Sequence, residues 1–138
     1  MNKQETKPQL MNYFVRISFQ KMNIDLYGIK SCDKVRSAIK WLKKNQVEYK
    51  FFDLKSTKLH DDEVSNWLKK ILWSELINKK SATWRALSED EKERVKDSKS
   101  AKNLFIIQPL VMKRPIIKFR EMIIVGYSVK NFENTFGK

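Results

Sequence analysis

The stretch IDLYGIKSCD, residues 24–33, decides the fold of this chain. Its apolar first half predicts a β-strand over residues 24–27, and Gly28 begins a turn. From Asp33 onward the spacing becomes helical, with apolar residues on one face: Val35, Ala38, Ile39 and Leu42. The stretch therefore predicts strand, turn and helix, with Cys32 at the junction of the turn and the helix.

A second strand follows this helix. Asn45 is a plausible helix end, and residues 47–54 alternate in the way typical of a strand. Strand, helix and strand within some thirty residues form a βαβ unit. Its strands are expected to be parallel and its crossover right-handed.

The remaining chain divides into a helical middle and a second strand region. Residues 58–112 carry an amphipathic stripe around Trp67, a capping box from Ser88 to Glu91, and an apolar helix over residues 100–107. Residues 115–125 predict an antiparallel hairpin, and Ser128 begins a final helix.

The order βαβ, helical insertion, ββα predicts an α/β, thioredoxin-like fold with a mixed four-stranded sheet and an inserted helical lobe. We expect a disordered N-terminal extension over residues 1–22 and one domain over 23–138. Its thioredoxin-like part would comprise 23–57 and 113–138, and its helical insertion 58–112.

Composition narrows the class of protein. The 138 residues carry a net charge of +13 and one cysteine, so an internal disulfide is impossible. No apolar run predicts a membrane span or a secretory signal, and a cytoplasmic, monomeric protein is expected.

The lysines are scattered, which favours a solvated surface over specific nucleic-acid binding. His60 lacks metal-ligand partners and no glycine-rich phosphate loop occurs, so neither metal nor nucleotide is expected.

Cys32 is the candidate nucleophile. The start of a helix offers unpaired N–H groups and the positive end of the helix dipole, and both favour the thiolate. A lone cysteine is more commonly an inert core residue, and its position alone leaves both readings open.

Four motifs carry a family resemblance: LYGIKSCD (26–33), TWR (83–85), KRP (113–115) and VGY (125–127). Through them, residues 23–136 resemble the ArsC family, the arsenate reductase and Spx-like branch of the thioredoxin superfamily. Within this family the chain looks like the YffB-type subgroup, whose members are regarded as glutathione-dependent thiol reductases. The resemblance implies glutathione as co-substrate and a glutaredoxin as a possible further partner.

The resemblance also implies roles for individual residues. Cys32 would attack, while the N–H groups of Asp33 and Lys34 would cradle an anion. Arg114 would lie across from Cys32, before a cis Pro115 that pairs with an extended peptide such as glutathione. Arg85 and Lys30 would complete the anion-binding and glutathione-binding set.

Departures from the family pattern limit the kinds of reaction that we expect this protein to catalyse. Val35 stands where thioredoxins and Spx carry a second cysteine, so a monothiol cycle needs an external thiol. Arsenate reductases of the family use three arginines. Arg114 matches one, Asn78 occupies the place of another, and residues 124–127 contain none. An Spx-like regulator that docks on the RNA polymerase α subunit, or a weak arsenate reductase, are the alternatives to a thiol reductase.

Overall fold

A four-stranded mixed sheet is the centre of the computed structural model, which describes residues 23–138. The expected extension over residues 1–22 lies outside the described residues. The strands are β1 (Ile24–Gly28), β2 (Lys50–Asp53), β3 (Ile116–Phe119) and β4 (Met122–Val125), in the order β2-β1-β3-β4. β1 pairs with β2 in parallel and with β3 antiparallel, and β3 and β4 form the hairpin. The thioredoxin-like fold expected from the sequence is confirmed.

Seven α-helices surround the sheet within the described part of the chain. Two belong to the thioredoxin-like part: α1 (Asp33–Lys44) and α7 (Val129–Phe136). Five lie between β2 and β3: α2 (Asp61–Leu68), α3 (Trp73–Leu76), α4 (Ala82–Arg85), α5 (Glu89–Glu93) and α6 (Ser98–Ile107). A 3-10 helix, Pro109–Val111, leads back towards the sheet. None of these helices combines the length and apolar composition needed to cross a bilayer.

Successive side chains of each strand point to opposite faces of the sheet, so a separate hydrophobic core forms on each face. Leu26 of β1 and Ile117 of β3 face α1 and α7, where Phe132 is fully buried. The neighbouring residues on the two strands, Tyr27 and Ile116, face the helical lobe. Large buried side chains each contribute about 1.5–3 kcal/mol of burial free energy, so both faces of the sheet are firmly covered.

The second strand is shorter than the sequence predicts. It begins at Lys50 rather than at residue 47. The reason lies in the end of α1, where Gln46 adopts φ 58° and the Val47 N–H donates to the Leu42 carbonyl at 2.9 Å. Val47 therefore completes the helix terminus, although its apolar side chain is still buried.

Candidate functional site

One edge of the sheet brings together the segments that the motifs single out. Gly28 at the end of β1 is paired with Asp53 at the end of β2. Tyr27 is paired with Ile116, and the Gly126 N–H donates to the Pro115 carbonyl at 2.8 Å. The register thus brings the start of β3, with its Arg114-Pro115 approach, alongside the end of β1 and the turn that leads to Cys32.

Cys32 occupies the N-cap position of α1, as the sequence predicts. Its backbone is extended, with φ −86° and ψ 126°, and its N–H donates to the Ile29 carbonyl at 3.2 Å. The side chain is half-buried and packs against both cores. No hydrogen bond within residues 23–138 uses the N–H groups of Asp33 or Lys34. A partly accessible sulfur thus lies beside donors that are free for an anion.

Gly28 sets the approach of α1 to β1. A Cβ atom at this position would lie 2.6 Å from Cγ2 of Val35, a fully buried side chain in the first turn of α1. Only glycine permits this packing without movement of one of the two elements. The distance between β1 and α1, and with it the position of Cys32, depends on the missing side chain.

Arg36 braces the turn that precedes Cys32, a role that sequence reasoning missed. One Nη donates to the Lys30 carbonyl at 3.1 Å, while the other pairs with the Asp33 carboxylate. The Asp33-to-Arg36 spacing was a readable signal for the ion pair, since residues three apart on a helix are neighbours. The contact to Lys30 depends on the turn and has no sequence signature.

Arg114 precedes β3 at the same edge of the sheet. Its peptide bond to Pro115 is cis, and Nη1 donates to the carbonyls of Leu110 at 2.6 Å and Met112 at 3.3 Å. Nε is buried and has no hydrogen-bond partner in residues 23–138. The guanidinium is therefore oriented by the 3-10 segment, while part of its donor set stays unused.

The main-chain groups of Arg114 also lack hydrogen-bond partners among the described residues. Pro115 has no N–H, and its carbonyl already accepts from Gly126. No hydrogen bond within residues 23–138 involves the main-chain N–H or C=O of Arg114. These main-chain groups of Arg114 are available for further hydrogen bonds, and the pairing of Pro115 with an extended peptide stays a prediction.

The two remaining predicted site residues are exposed. Lys30 follows β1, and its Nζ lies 5.9 Å from the centroid of the Phe51 ring. Arg85 ends α4, which packs against the 3-10 helix that Arg114 contacts. No hydrogen bond or ion pair within residues 23–138 joins Arg85 to Cys32 or Arg114. The structure thus places Arg85 on the neighbouring lobe, and its binding role stays a prediction.

Charge at this edge is mainly positive. Its cations are Lys30, Lys34, Lys55, Lys113 and Arg114. The nearby carboxylates have other partners, because Asp33 pairs with Arg36 and Asp53 Oδ1 accepts from the Lys55 N–H at 2.9 Å. An anionic molecule would be attracted to this edge.

Tyr27 is structural. Its hydroxyl donates to Glu63 Oε2 at 2.5 Å, and its ring stacks on Phe52. Burial, reinforced by the hydrogen bond to Glu63, raises the pKa of Tyr27 far above its usual range. The phenol therefore stays protonated and ties β1 to α2.

Asn78, in the place of a family arginine, is used for local structure. Its N–H donates to the Val111 carbonyl at 2.8 Å, and its Oδ1 accepts from the Lys80 N–H at 3.0 Å. Nearby, Lys79 Nζ lies 5.7 Å from the Trp84 ring centroid. Asn78 therefore holds a turn of the lobe in place and, unlike an arginine, has no guanidinium fork.

Known proteins resemble this chain in sequence and in overall fold. An uncharacterized protein of Haemophilus influenzae is 34% identical over 113 residues, covering 82% of this chain and 98% of the relative. The solved structure of a protein named YFFB superposes with a TM-score of 0.78 at 29% identity, covering 83% of this chain and 99% of that one. An arsenate reductase (ArsC) related protein from Brucella melitensis gives a TM-score of 0.65 at 33% identity, covering 86% and 98%.

The family model covers most of the described sheet and lobe. The model described as the ArsC family matches residues 27–135, from the penultimate residue of β1 to the penultimate residue of α7. The matched range contains Cys32, the Thr83-Trp84-Arg85 motif and the cis Arg114-Pro115 bond. This chain belongs to the ArsC family.

Proposed function

We propose that the protein is a monothiol, glutathione-dependent thiol/disulfide reductase with Cys32 as its nucleophile. The observation that carries the proposal is the position of Cys32. Its half-buried sulfur lies at the first turn of α1, beside two unused N–H groups and along the edge that holds Arg114. Such surroundings can bind an anion next to the Cys32 sulfur.

The reaction needs two thiol–disulfide exchanges. In the first, the Cys32 thiolate attacks the glutathione sulfur of a mixed disulfide, the Cys32–glutathione bond forms, and the substrate leaves as a thiolate. In the second, a glutathione thiolate attacks the glutathione sulfur bound to Cys32. Oxidised glutathione leaves and the Cys32 thiolate is restored. The fully buried Val35 supplies no resolving sulfur, so the second thiol must come from outside the chain.

The basic edge supports glutathione as the partner. Glutathione has two carboxylates and a peptide backbone, and the unused main-chain groups of Arg114 can pair with that backbone. The side chains of Lys30, Lys34, Arg85 and Arg114 would provide the cations for its carboxylates. A glutaredoxin would be the protein that reduces the adduct where free glutathione does not.

Mass spectrometry after incubation with oxidised glutathione tests this proposal. We expect one glutathionyl adduct on the wild type and none on Cys32→Ser. Because Arg114 stabilises the anions at this edge, Arg114→Gln should form the adduct about tenfold more slowly, the effect of one charge-assisted hydrogen bond. The matched control Arg94→Gln, an exposed arginine after α5, should keep the wild-type rate.

Two outcomes would contradict the proposal. Wild-type protein that stays free of adduct under oxidised glutathione would show that Cys32 is not a glutathione nucleophile. Equal rates for the wild type, Arg114→Gln and a denatured chain would show that the folded edge contributes nothing to the reaction.

Arsenate reduction is a second candidate, favoured by the unused N–H groups at Asp33 and Lys34 beside Cys32. The Brucella relative is named as arsenate reductase related. The local use of Asn78 and the lack of arginine over residues 124–127 leave the oxyanion with one arginine in place of three. We expect slow turnover with arsenate, glutathione and glutaredoxin, and robust turnover would reverse this ranking.

A further inference from the structure

The side chain of Arg36 contacts the chain on both sides of Cys32. One Nη donates to the carbonyl of Lys30, two residues before the cysteine, at 3.1 Å. The other pairs with the carboxylate of Asp33, the residue directly after the cysteine. The main-chain N–H of Arg36 also donates to the Cys32 carbonyl at 3.0 Å. Arg36 is thus joined by hydrogen bonds to Cys32 and to the segments that precede and follow it.

The turn before Cys32 is held by a main-chain and a side-chain contact together. The Cys32 N–H donates to the Ile29 carbonyl at 3.2 Å, and the guanidinium of Arg36 holds the carbonyl of the intervening Lys30. The oxygen of a carbonyl carries partial negative charge, so the cation both orients this oxygen and offsets its charge. The conformation of the turn that presents the sulfur therefore depends on Arg36.

The Asp33 carboxylate is the negative charge nearest to Cys32 along the chain. A carboxylate in the first turn of a helix is attracted by the helix dipole and the unpaired N–H groups there. Here the carboxylate accepts from Arg36 and from no main-chain N–H of residues 23–138. Without Arg36, it would compete with an incoming anion for those N–H groups and repel it. The ion pair thus keeps the start of α1 open to anions.

Solvent limits the size of this effect. The side chains of Asp33 and Arg36 are 91% and 57% exposed. An exposed ion pair adds little to the stability of a fold, so the pair is not needed to hold α1 together. A charge beside a reacting sulfur still changes the approach of a charged reagent, by about two- to fivefold when little salt is present. The effect is small but measurable.

We propose that Arg36 is a positioning residue that allows an anionic disulfide, the class that includes oxidised glutathione, to reach Cys32. It acts through Asp33, whose charge it neutralises, and through the Lys30 carbonyl, which it orients. The inference rests on the proposed function, since the role matters for turnover only if Cys32 exchanges with disulfides. The charge effect itself is measurable on the Cys32 thiol without any disulfide.

Alkylation by iodoacetate, an anion, and by neutral iodoacetamide tests the charge effect. In both reactions the ionised Cys32 sulfur forms a bond to carbon and iodide leaves. The same ionised sulfur reacts in both cases, so the ratio of the two rate constants is independent of how much of the thiol is ionised. Intact-protein mass spectrometry follows the label, because Cys32 is the only cysteine of the chain, and Cys32→Ser gives the background.

We expect Arg36→Gln to lower the iodoacetate-to-iodoacetamide ratio about two- to fivefold at about 0.01 M ionic strength. Asp33→Asn/Arg36→Gln should return to the wild-type ratio, because both charges are then removed. Arg36→Lys keeps the charge and should keep most of the ratio. About 1 M salt should erase the difference between the wild type and Arg36→Gln, since salt screens charges but does not reverse a change of structure.

The matched control removes the cation of another ion pair. Lys92 pairs with Glu89 in α5, also three residues apart, and Lys92→Gln should leave the ratio unchanged. An equal decrease in Lys92→Gln would overturn the proposal. So would an unchanged ratio in Arg36→Gln, a decrease that Asp33→Asn does not restore, or a folded protein that neither reagent labels.

Incubation with oxidised glutathione separates this inference from the proposed function. A glutathione adduct on the wild type, together with a ratio that ignores Arg36→Gln, would remove the role of Arg36 and leave the reductase. A ratio that responds as expected, without any adduct on the wild type, would remove the reductase and leave Arg36 as the residue that opens this helix start to anions.

Discussion

At the scale of single residues, the candidate site depends on side chains that are small or absent as much as on reactive ones. Gly28 lets α1 approach β1, Val35 fills the contact, and Cys32 is thereby held at the sheet edge. The sequence predicted where Cys32 lies because a strand, a turn and a helix are local patterns. It could not predict that the Arg114 guanidinium binds the Leu110 and Met112 carbonyls, since that contact depends on how the lobe returns to the sheet.

Gly28→Ala should destabilise the fold. The added methyl would lie 2.6 Å from Val35 Cγ2, and overpacking of this kind costs about 1–3 kcal/mol. Urea unfolding would measure the loss. The exposed Ser37→Ala in the same helix is the control and should stay within about 0.5 kcal/mol of the wild type. A stability of Gly28→Ala equal to that of the control would mean that the contact relaxes freely.

Asp25→Asn should stabilise the protein at neutral pH. Burial raises the pKa of Asp25. The positive charges of Lys118 and Lys50 lower this pKa in part, and the negative charge of Glu63 raises it further. The folded state thus holds the proton more tightly than the unfolded chain, and stability is lost as pH rises through the folded pKa. Removing the ionisable group should raise Tm at pH 7 and leave it little changed near pH 3. A Tm increase of the same size at both pH values would contradict the electrostatic cause.

At the scale of elements, caps and helix ends explain both the success and the error of the sequence prediction. The capping box at Ser88 and Glu91 is present, and Ser128 caps α7 as predicted. The helix predicted over residues 100–107 begins at Ser98, because Asp97 accepts from the Ser100 N–H at 2.8 Å. Strand periodicity placed Val47 in β2, but periodicity describes side chains and the backbone of Val47 completes α1.

Ser128→Ala should loosen α7. The Ser128 hydroxyl accepts from the Asn131 N–H at 3.1 Å, and loss of such a cap costs about 1 kcal/mol. Chemical denaturation is the measurement, and Ser128→Asp, which can also cap, should retain most of the stability. If both variants lose the same amount, the hydroxyl–amide contact is not the stabilising interaction.

At the scale of the whole molecule, the sequence determined the fold class because the order of elements admits few topologies. The mixed sheet and the lobe between β2 and β3 follow that order. The division into residues 1–22, 23–57, 58–112 and 113–138 stays a prediction.

Salt should stabilise the molecule. A net charge of +13 on 138 residues creates self-repulsion in the compact state, which ions screen. We expect Tm to rise between about 0.01 and 0.15 M sodium chloride, where the Debye length falls from about 30 to 8 Å. Sucrose at the same osmolality is the control, because it is excluded from the protein surface but does not screen charges. A Tm that falls with salt would show that favourable ion pairs outweigh the repulsion.

The hydrogen bonds between Arg114 and the 3-10 segment connect the helical lobe to the edge of the sheet. The guanidinium points where the Leu110 and Met112 carbonyls direct it, and those residues belong to the lobe's return path to the sheet. A change in the path of these residues would therefore redirect the Arg114 guanidinium. The lobe therefore sets the direction of the Arg114 guanidinium as well as covering one face of the sheet.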